Sequence, residues 1–530
     1  MTKKQLSLVT LLSIFNILFL LLLSRRFWFR LDLTAHKAHT LAPVSRNLHS
    51  EIEENVRISY YLSSKLLSLD PAPSEIIDML REYEARSRRK IQVTVRDPAK
   101  YPLEVERFGL YPQPLSSLDM DELNFSVVYS GIVIEYLNNA EVLPFVYYLD
   151  TLEYDITSRI RSLASGKRRE LGVIAPEGRR NWNDHYGILN QAFFQSGYSV
   201  LPLRAGEEIP DTLPVLFVLG GSEELDEYSL YHIDRYIQLG GRVFFGVESV
   251  NVDLNTLEGR LKNDKGLLSM ISYYGITLGQ SLVLDQACLS VQYSQLSRPV
   301  RYPPWVRVLE NQSSEDHPLV AFFGGVDLFW ASPLYFTLPE SGAVKGETLF
   351  TSSPNAWLMA DTFFLSPEQS SLFALGSEET AGEKILAAAL EGTFPSWFEG
   401  VEKPRRYKYG WDDDEEEEEL PPMPPAPRES RIVVVGDADI GSRLLSQQSG
   451  NLNFLLKAAD WLGKDDDIVG IRNRQSGSGR LDRITDEAKQ RGVINFSRIL
   501  NIVIVPMMIA IYGITRLVKR NRKKEQDHGL

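Results

Sequence analysis

Cysteine is almost absent from this chain: Cys288 is the only one in 530 residues. An intramolecular disulfide and a zinc site built on several thiolates are thereby excluded. The surrounding segment, LVLDQACLSVQ, lacks the glycine turn that exposes a nucleophile in elbow-type hydrolases, so the thiol reads as a small buried hydrophobe. Neither G-x-C-x-G nor G-x-S-x-G occurs, and His185 and His232, which fall in predicted helices, have no matched nucleophile. A phosphate-binding G-x-x-x-x-G-K-[ST] loop is missing too, because Arg161 stands where Gly166-Lys167 needs its first glycine. ATP hydrolysis by this chain is not expected, nor is a cofactor or a metal. Excess positive charge is also lacking: the formal net charge is -13, and outside the C-terminal tail no basic stripe offers itself to phosphates. Nucleic acid is therefore not an expected partner.

Long apolar runs are confined to the two ends. Residues 6–23 and 499–515 carry no charge, and each comes close to the roughly 20 residues that cross a hydrocarbon core of about 30 Å as a helix. Arg516, Lys519, Arg520, Arg522, Lys523 and Lys524 follow the second run and hold that tail in the cytoplasm. Two crossings return the chain to its starting side, which places the middle outside the cytoplasm. A cleaved signal peptide is the rival reading of the first run. Ser24, Arg25, Arg26 and Phe27 offer no small-x-small site, which favours an uncleaved anchor. Arg498, at the external end of the second region, can snorkel.

Between the anchors the pattern changes twice. Strands at 56–62, 91–95, 126–136 and 141–147, the last two joined through Asn138-Asn139, mix with a helix capped by Ser74 and another over 152–163. From 168 onward, short apolar strands at 171–175, 215–219 and 242–245 alternate with helices over 184–196 and 224–239. That alternation predicts an α/β domain with a doubly wound, flavodoxin-like or Rossmann-like parallel sheet covered on both faces. Region 291–410 is an insertion or a continuation, and 411–428, with eight acids at 412–419 followed by PPMPPAP, reads as a disordered loop. A strand at 431–436 and a helix at 451–462 complete the sheet within 431–470. The expected organisation is thus a cytoplasmic 1–5, an anchor at 6–24, an α+β ectodomain at 31–165, the α/β domain from 168 to 290 and its completion, an anchor at 494–515, and a basic cytoplasmic tail at 516–530.

The chain resembles the GldG-type auxiliary components of ABC transport systems associated with gliding motility. The resemblance runs through Leu31-Asp32-Leu33-Thr34, Thr40-Leu41, Tyr83, Asp97-Pro98, residues 152–167 leading to Leu171, Gly240-Gly241, the VVVGDADIGS segment, and Asn451, Asn453 and Trp461. It implies a two-pass subunit of the bacterial inner membrane, in contact with lipid, that works with a separate permease and a separate ATPase. The middle fold is similar to the glutamine amidotransferase class without its nucleophile, so binding without catalysis is expected.

A ligand of such a sheet sits at the carboxyl ends of its strands. Glu177, Gly220, Gly221, Glu248, Gly436, Asp437 and Asp439 fall there and are the candidate binding residues. Asp437 and Asp439 have the oxygen chemistry for a hard cation, but Asp is also a preferred N-cap residue, and capping is the favoured reading. Two alternatives to the transport reading remain: a cell-envelope scaffold, whose surface would use Tyr302, Trp305, Phe322 and Trp330, and an amidotransferase-like hydrolase. Core packing is the default explanation of those aromatics.

Overall fold

The computed structural model describes residues 40–464 except 120–121, 147–148, 150, 167, 177–180, 293–297, 315–316, 322, 375–376, 410–414, 418–419 and 445–449, and beyond them Ile471, Met507 and Gly513. The chain divides into two units, 1–477 and 478–530, and all but two of the described residues belong to the first. Apart from Met507 and Gly513, both expected anchors lie outside the described residues. Among the described residues no helix is long and apolar enough to cross a membrane.

The first part is a four-stranded sheet with helices against it. Its elements are α1 (Pro43–Asn47), β1 (Val56–Leu62), α2 (Ser64–Leu69), α3 (Ala72–Arg86), β2 (Ile91–Arg96), α4 (Pro102–Arg107), β3 (Gln113–Asp119), β4 (Glu122–Val128), β5 (Ser130–Tyr136), β6 (Asn139–Leu143) and α5 (Leu152–Ser165). Strand order is β2-β1-β5-β6, with β1 parallel to β2 and antiparallel to β5. Ile76, Leu80 and Tyr83 line the buried face of α3, as their spacing requires. Ser74 does not cap that helix: α3 starts two residues earlier, and Asp70 accepts from the Ala72 N–H at 2.7 Å. The expected 126–136 strand is two strands, because the chain breaks at Tyr129, and β4 instead pairs with β3 in a separate hairpin. The β5–β6 turn falls at Leu137-Asn138, one residue earlier than expected, and Leu137 takes a left-handed φ of 53°.

The second part is built on a nine-stranded mixed sheet. Its parallel half holds β7 (Arg169–Ile174), β8 (Tyr198–Leu203), β9 (Val215–Leu219), β10 (Arg242–Gly246) and the strand Glu429–Val435, in the order Glu429–Val435, β10, β9, β7, β8. An antiparallel half follows, since Ile385–Thr393 pairs with Glu429–Val435 in the opposite sense. The all-parallel sheet expected from the alternation is therefore half of the observed one. Alternation along each strand feeds two cores. Val215, Phe217, Leu219 and Phe244 face α6 (Gly187–Gln195) and the helix Asn451–Leu462, while Leu216, Val218, Val243 and Phe245 face α7 (Glu227–Gln238) and the helix Leu267–Tyr274.

Residues between β10 and Glu429–Val435 form smaller sheets over a core containing Val250, Leu282, Tyr302, Trp330 and Phe373, and also add Ile276–Leu278, Leu334–Phe336, Val344–Thr351 and Ile385–Thr393 to the main sheet. The stretch expected to be a disordered loop is ordered in part. Glu415–Glu417 pairs with Tyr407–Tyr409, and Leu420 is buried against Tyr228 and Tyr231 of α7, with the Tyr231 hydroxyl donating to Pro421 O at 2.9 Å. An apolar anchor directly after the acids, which a charge count overlooks, holds this segment.

Candidate functional site

At the carboxyl ends of the parallel strands, close backbone approach explains the glycines. Gly220 and Gly221 adopt left-handed φ of 77° and 97°, and the Gly220 N–H donates to Gly246 O at 2.8 Å. A Cβ on Gly436 would lie 2.0 Å from Ser332 O, while the Ser332 N–H donates to Gly436 O at 2.7 Å. These glycines let loops pass. Glu177 lies outside the described residues.

The candidate carboxylates do converge, into a closed polar latch. Asp437 caps the short 3-10 helix Ala438–Gly441 by accepting from the Asp439 N–H at 2.7 Å, and its other oxygen accepts from the Phe329 N–H at 2.7 Å. Glu248 accepts from the Ala438 N–H at 2.8 Å and pairs with Lys262 at 2.8 Å. His185 Nε2 lies 2.6 Å from Asp439 Oδ1. Burial drives the Asp437 carboxyl well above the ordinary range, with Asp439 and Glu248 pushing the same way and the Phe329 and Asp439 amides opposing. The capping reading of Asp437 thus has its geometry. Among the described residues no group of three or more His, Cys, Asp or Glu is arranged to hold a metal ion.

His185 is not helical as expected. It occupies the turn before α6, where Asn181 accepts from the Asp184 N–H at 2.8 Å. Its described contacts are Asp439, the Tyr186 ring, the Asn181 carbonyl and the Arg443 amide. His232 is helical and buried in α7, against the Tyr228 and Tyr231 rings. Cys288 is half-buried on the strand Cys288–Val291. Tyr302, Trp305 and Trp330 pack edge to face within the smaller core; Phe322 lies outside the described residues.

A second polar cluster, not anticipated from the sequence, sits at the opposite, amino ends of β7 and β8. Asp460 Oδ1 accepts from Arg169 at 2.6 Å, from the Tyr154 hydroxyl at 3.1 Å, and from the Tyr198 hydroxyl at 2.5 Å. Arg169 also donates to Tyr154 at 2.8 Å and to Ser196 O at 2.9 Å, with its guanidinium 4.1 Å from the Tyr198 ring centre. Burial pushes the Tyr198 hydroxyl well above its ordinary range, and Asp460 adds to that. The carboxylate joins four elements: α5, β7, β8 and the last helix. The available signal was an acid inside the largely apolar LLKAADWL run, since a buried charge requires partners.

Tyr154 has a further role at this junction. Its ring packs with Ala42, Val44 and Ile471 in one buried cluster, and the Ala42 N–H donates to the buried Glu153 at 2.5 Å. Residues 42 and 44 and Ile471 therefore meet at one point.

A family model described as an ABC-type uncharacterized transport system matches residues 168–458, more than half of the chain, and one described as a domain of unknown function (DUF7088) matches 35–135. An uncharacterized protein of Borreliella burgdorferi is 24% identical over 503 residues, covering 93% of this chain and 94% of that protein. A solved structure, the mmIFT52 N-terminal domain, is similar at 11% identity and a TM-score of 0.33, covering 55% of this chain and 96% of that one, a likeness too low to support an argument.

Proposed function

The chain belongs to the ABC-type uncharacterized transport system family, and on that premise we propose that it is a membrane-anchored auxiliary subunit of such a system. In this reading the α/β body lies outside the cytoplasm of a bacterial inner membrane, tethered at both ends and assembled with a separate permease and a separate ATPase. The observation that carries it is the meeting of Ala42 and Val44 with Ile471 over Tyr154. A body tethered by two spans must release both ends toward one membrane, and a shared buried cluster starts both segments from one place. The uncharged runs at 6–23 and 499–515 and the basic tail support the same topology. The absence of a phosphate-loop motif from the sequence supports a division of labour in which hydrolysis belongs to another subunit. So does the resemblance to GldG-type components, without carrying over gliding itself.

Affinity purification of the tagged full-length chain from carbonate-washed membranes tests the proposal. Stoichiometric recovery of a multi-span permease and an ATPase is expected. A chain that is washed off by carbonate, or that retains neither subunit, contradicts it.

A further inference from the structure

A groove of about 730 Å³ opens where β1 and β2 end, with Ser63, Lys65, Asp97, Val105, Glu106 and Val127 among its walls. Of its lining residues Val127 is 67% exposed, and Leu67, Tyr101, Leu103 (80%) and Tyr111, each within two positions in sequence of a lining residue, are exposed as well. Single exposed apolar residues are ordinary, but several on the chain segments that form one concavity mark an interaction site.

The walls are fixed in advance. Glu104 on α4 accepts from both the Tyr61 hydroxyl and Arg96, and the Arg96 guanidinium lies 5.0 Å from the Tyr101 ring centre. On the other side the Tyr129 N–H donates to Ser63 Oγ at 2.9 Å, and the Ser63 N–H donates to Tyr129 O at 3.0 Å, which pins the end of β4. A preformed groove lowers the ordering cost of binding.

Two observations identify the occupant. The β3–β4 hairpin, whose Val127 forms part of the wall, is a two-stranded sheet of its own, so among the described residues its outer ladder groups meet no further strand. A hairpin of that kind is marginal alone and is a template for an added strand. The groove also contains two carboxylates, Asp97 and Glu106, against one ammonium, Lys65. That balance suits a cationic side chain and opposes anionic lipid headgroups.

We infer that this groove receives an extended polypeptide segment, apolar with at least one Lys or Arg, contributed by the permease of the same transport system. The inference rests on the auxiliary-subunit reading. Photocrosslinking in native membranes tests it, with benzoylphenylalanine at Leu103 of the full-length chain and, as control, at Phe194 on α6, which is 61% exposed. Position 103 should give an adduct with the co-purifying permease and position 194 none. Glu106→Lys, at an exposed position, should cut the adduct at least tenfold without lowering the melting temperature. If the permease co-purifies but position 103 captures lipid, a second copy of this chain or nothing, the groove assignment is wrong and the auxiliary reading stands. If no permease co-purifies, the auxiliary reading itself fails.

Discussion

At the scale of single residues, His317 sets an acid limit on the fold. The ring lies against Trp461 with centroids 5.0 Å apart, and its Nδ1 accepts from the Leu319 N–H at 3.2 Å, which only a neutral ring protonated at Nε2 can do. Burial lowers its pKa from 6.5 to about 4, with Arg431 lowering and Glu391 opposing. The unfolded chain therefore binds a proton between those values that the folded chain refuses. Stability from this site is complete above pH 6.5 and is lost as the pH falls toward 4, by at most about 3 kcal/mol. Denaturation curves at pH 7 and pH 4.5 should show His317→Phe with a smaller acid loss than the parent. Equal losses would remove His317 from the account. Glycine positions at this scale were legible as glycines but not as to their backbone role: a sequence does not show that Ser332 O would lie 2.0 Å from a Cβ added to Gly436.

At the scale of elements, the strands most legible in the sequence were those buried on both faces. The runs VLFVL and RIVVV are apolar at every position that faces a core, so they stand out without any partner being known. β8 was missed because it is an edge strand, half exposed and containing Pro202. The smaller sheets between 250 and 393 were unreadable because their pairings join distant segments, such as Leu282–Asp285 with Ala356–Met359. Asp460 was invisible for a related reason, since its partners come from three other elements. Removing it with Asp460→Ala strips the acceptor from the Arg169 guanidinium and two tyrosines, and loss of one member of a buried pair costs about 3–5 kcal/mol. Hydrogen exchange should accelerate in the first turns of α5 and the last turn of Asn451–Leu462, while β10 stays protected. Uniform acceleration across the sheet, or none, would show that Asp460 does not hold this junction.

At the scale of the whole molecule, the account rests on where the two ends go. The α/β sheet provides a rigid platform, the polar latch at its carboxyl ends fixes the loops there, and the Asp460 cluster ties the amino ends to the helix that precedes β7. Ala42, Val44 and Ile471 share Tyr154, which fits the proposed double tether. Charge agrees with this division, since the net of -13 includes the basic tail and leaves the rest more acidic still. The most direct measurement is the protease accessibility of tags at both termini and of a cleavage site inserted at 410–414, in cells whose outer barrier is opened and whose inner membrane is intact. The account predicts cleavage at 410–414 and protection of both tags until the inner membrane is dissolved. Cleavage of either tag before that point, or protection of the inserted site, would contradict it.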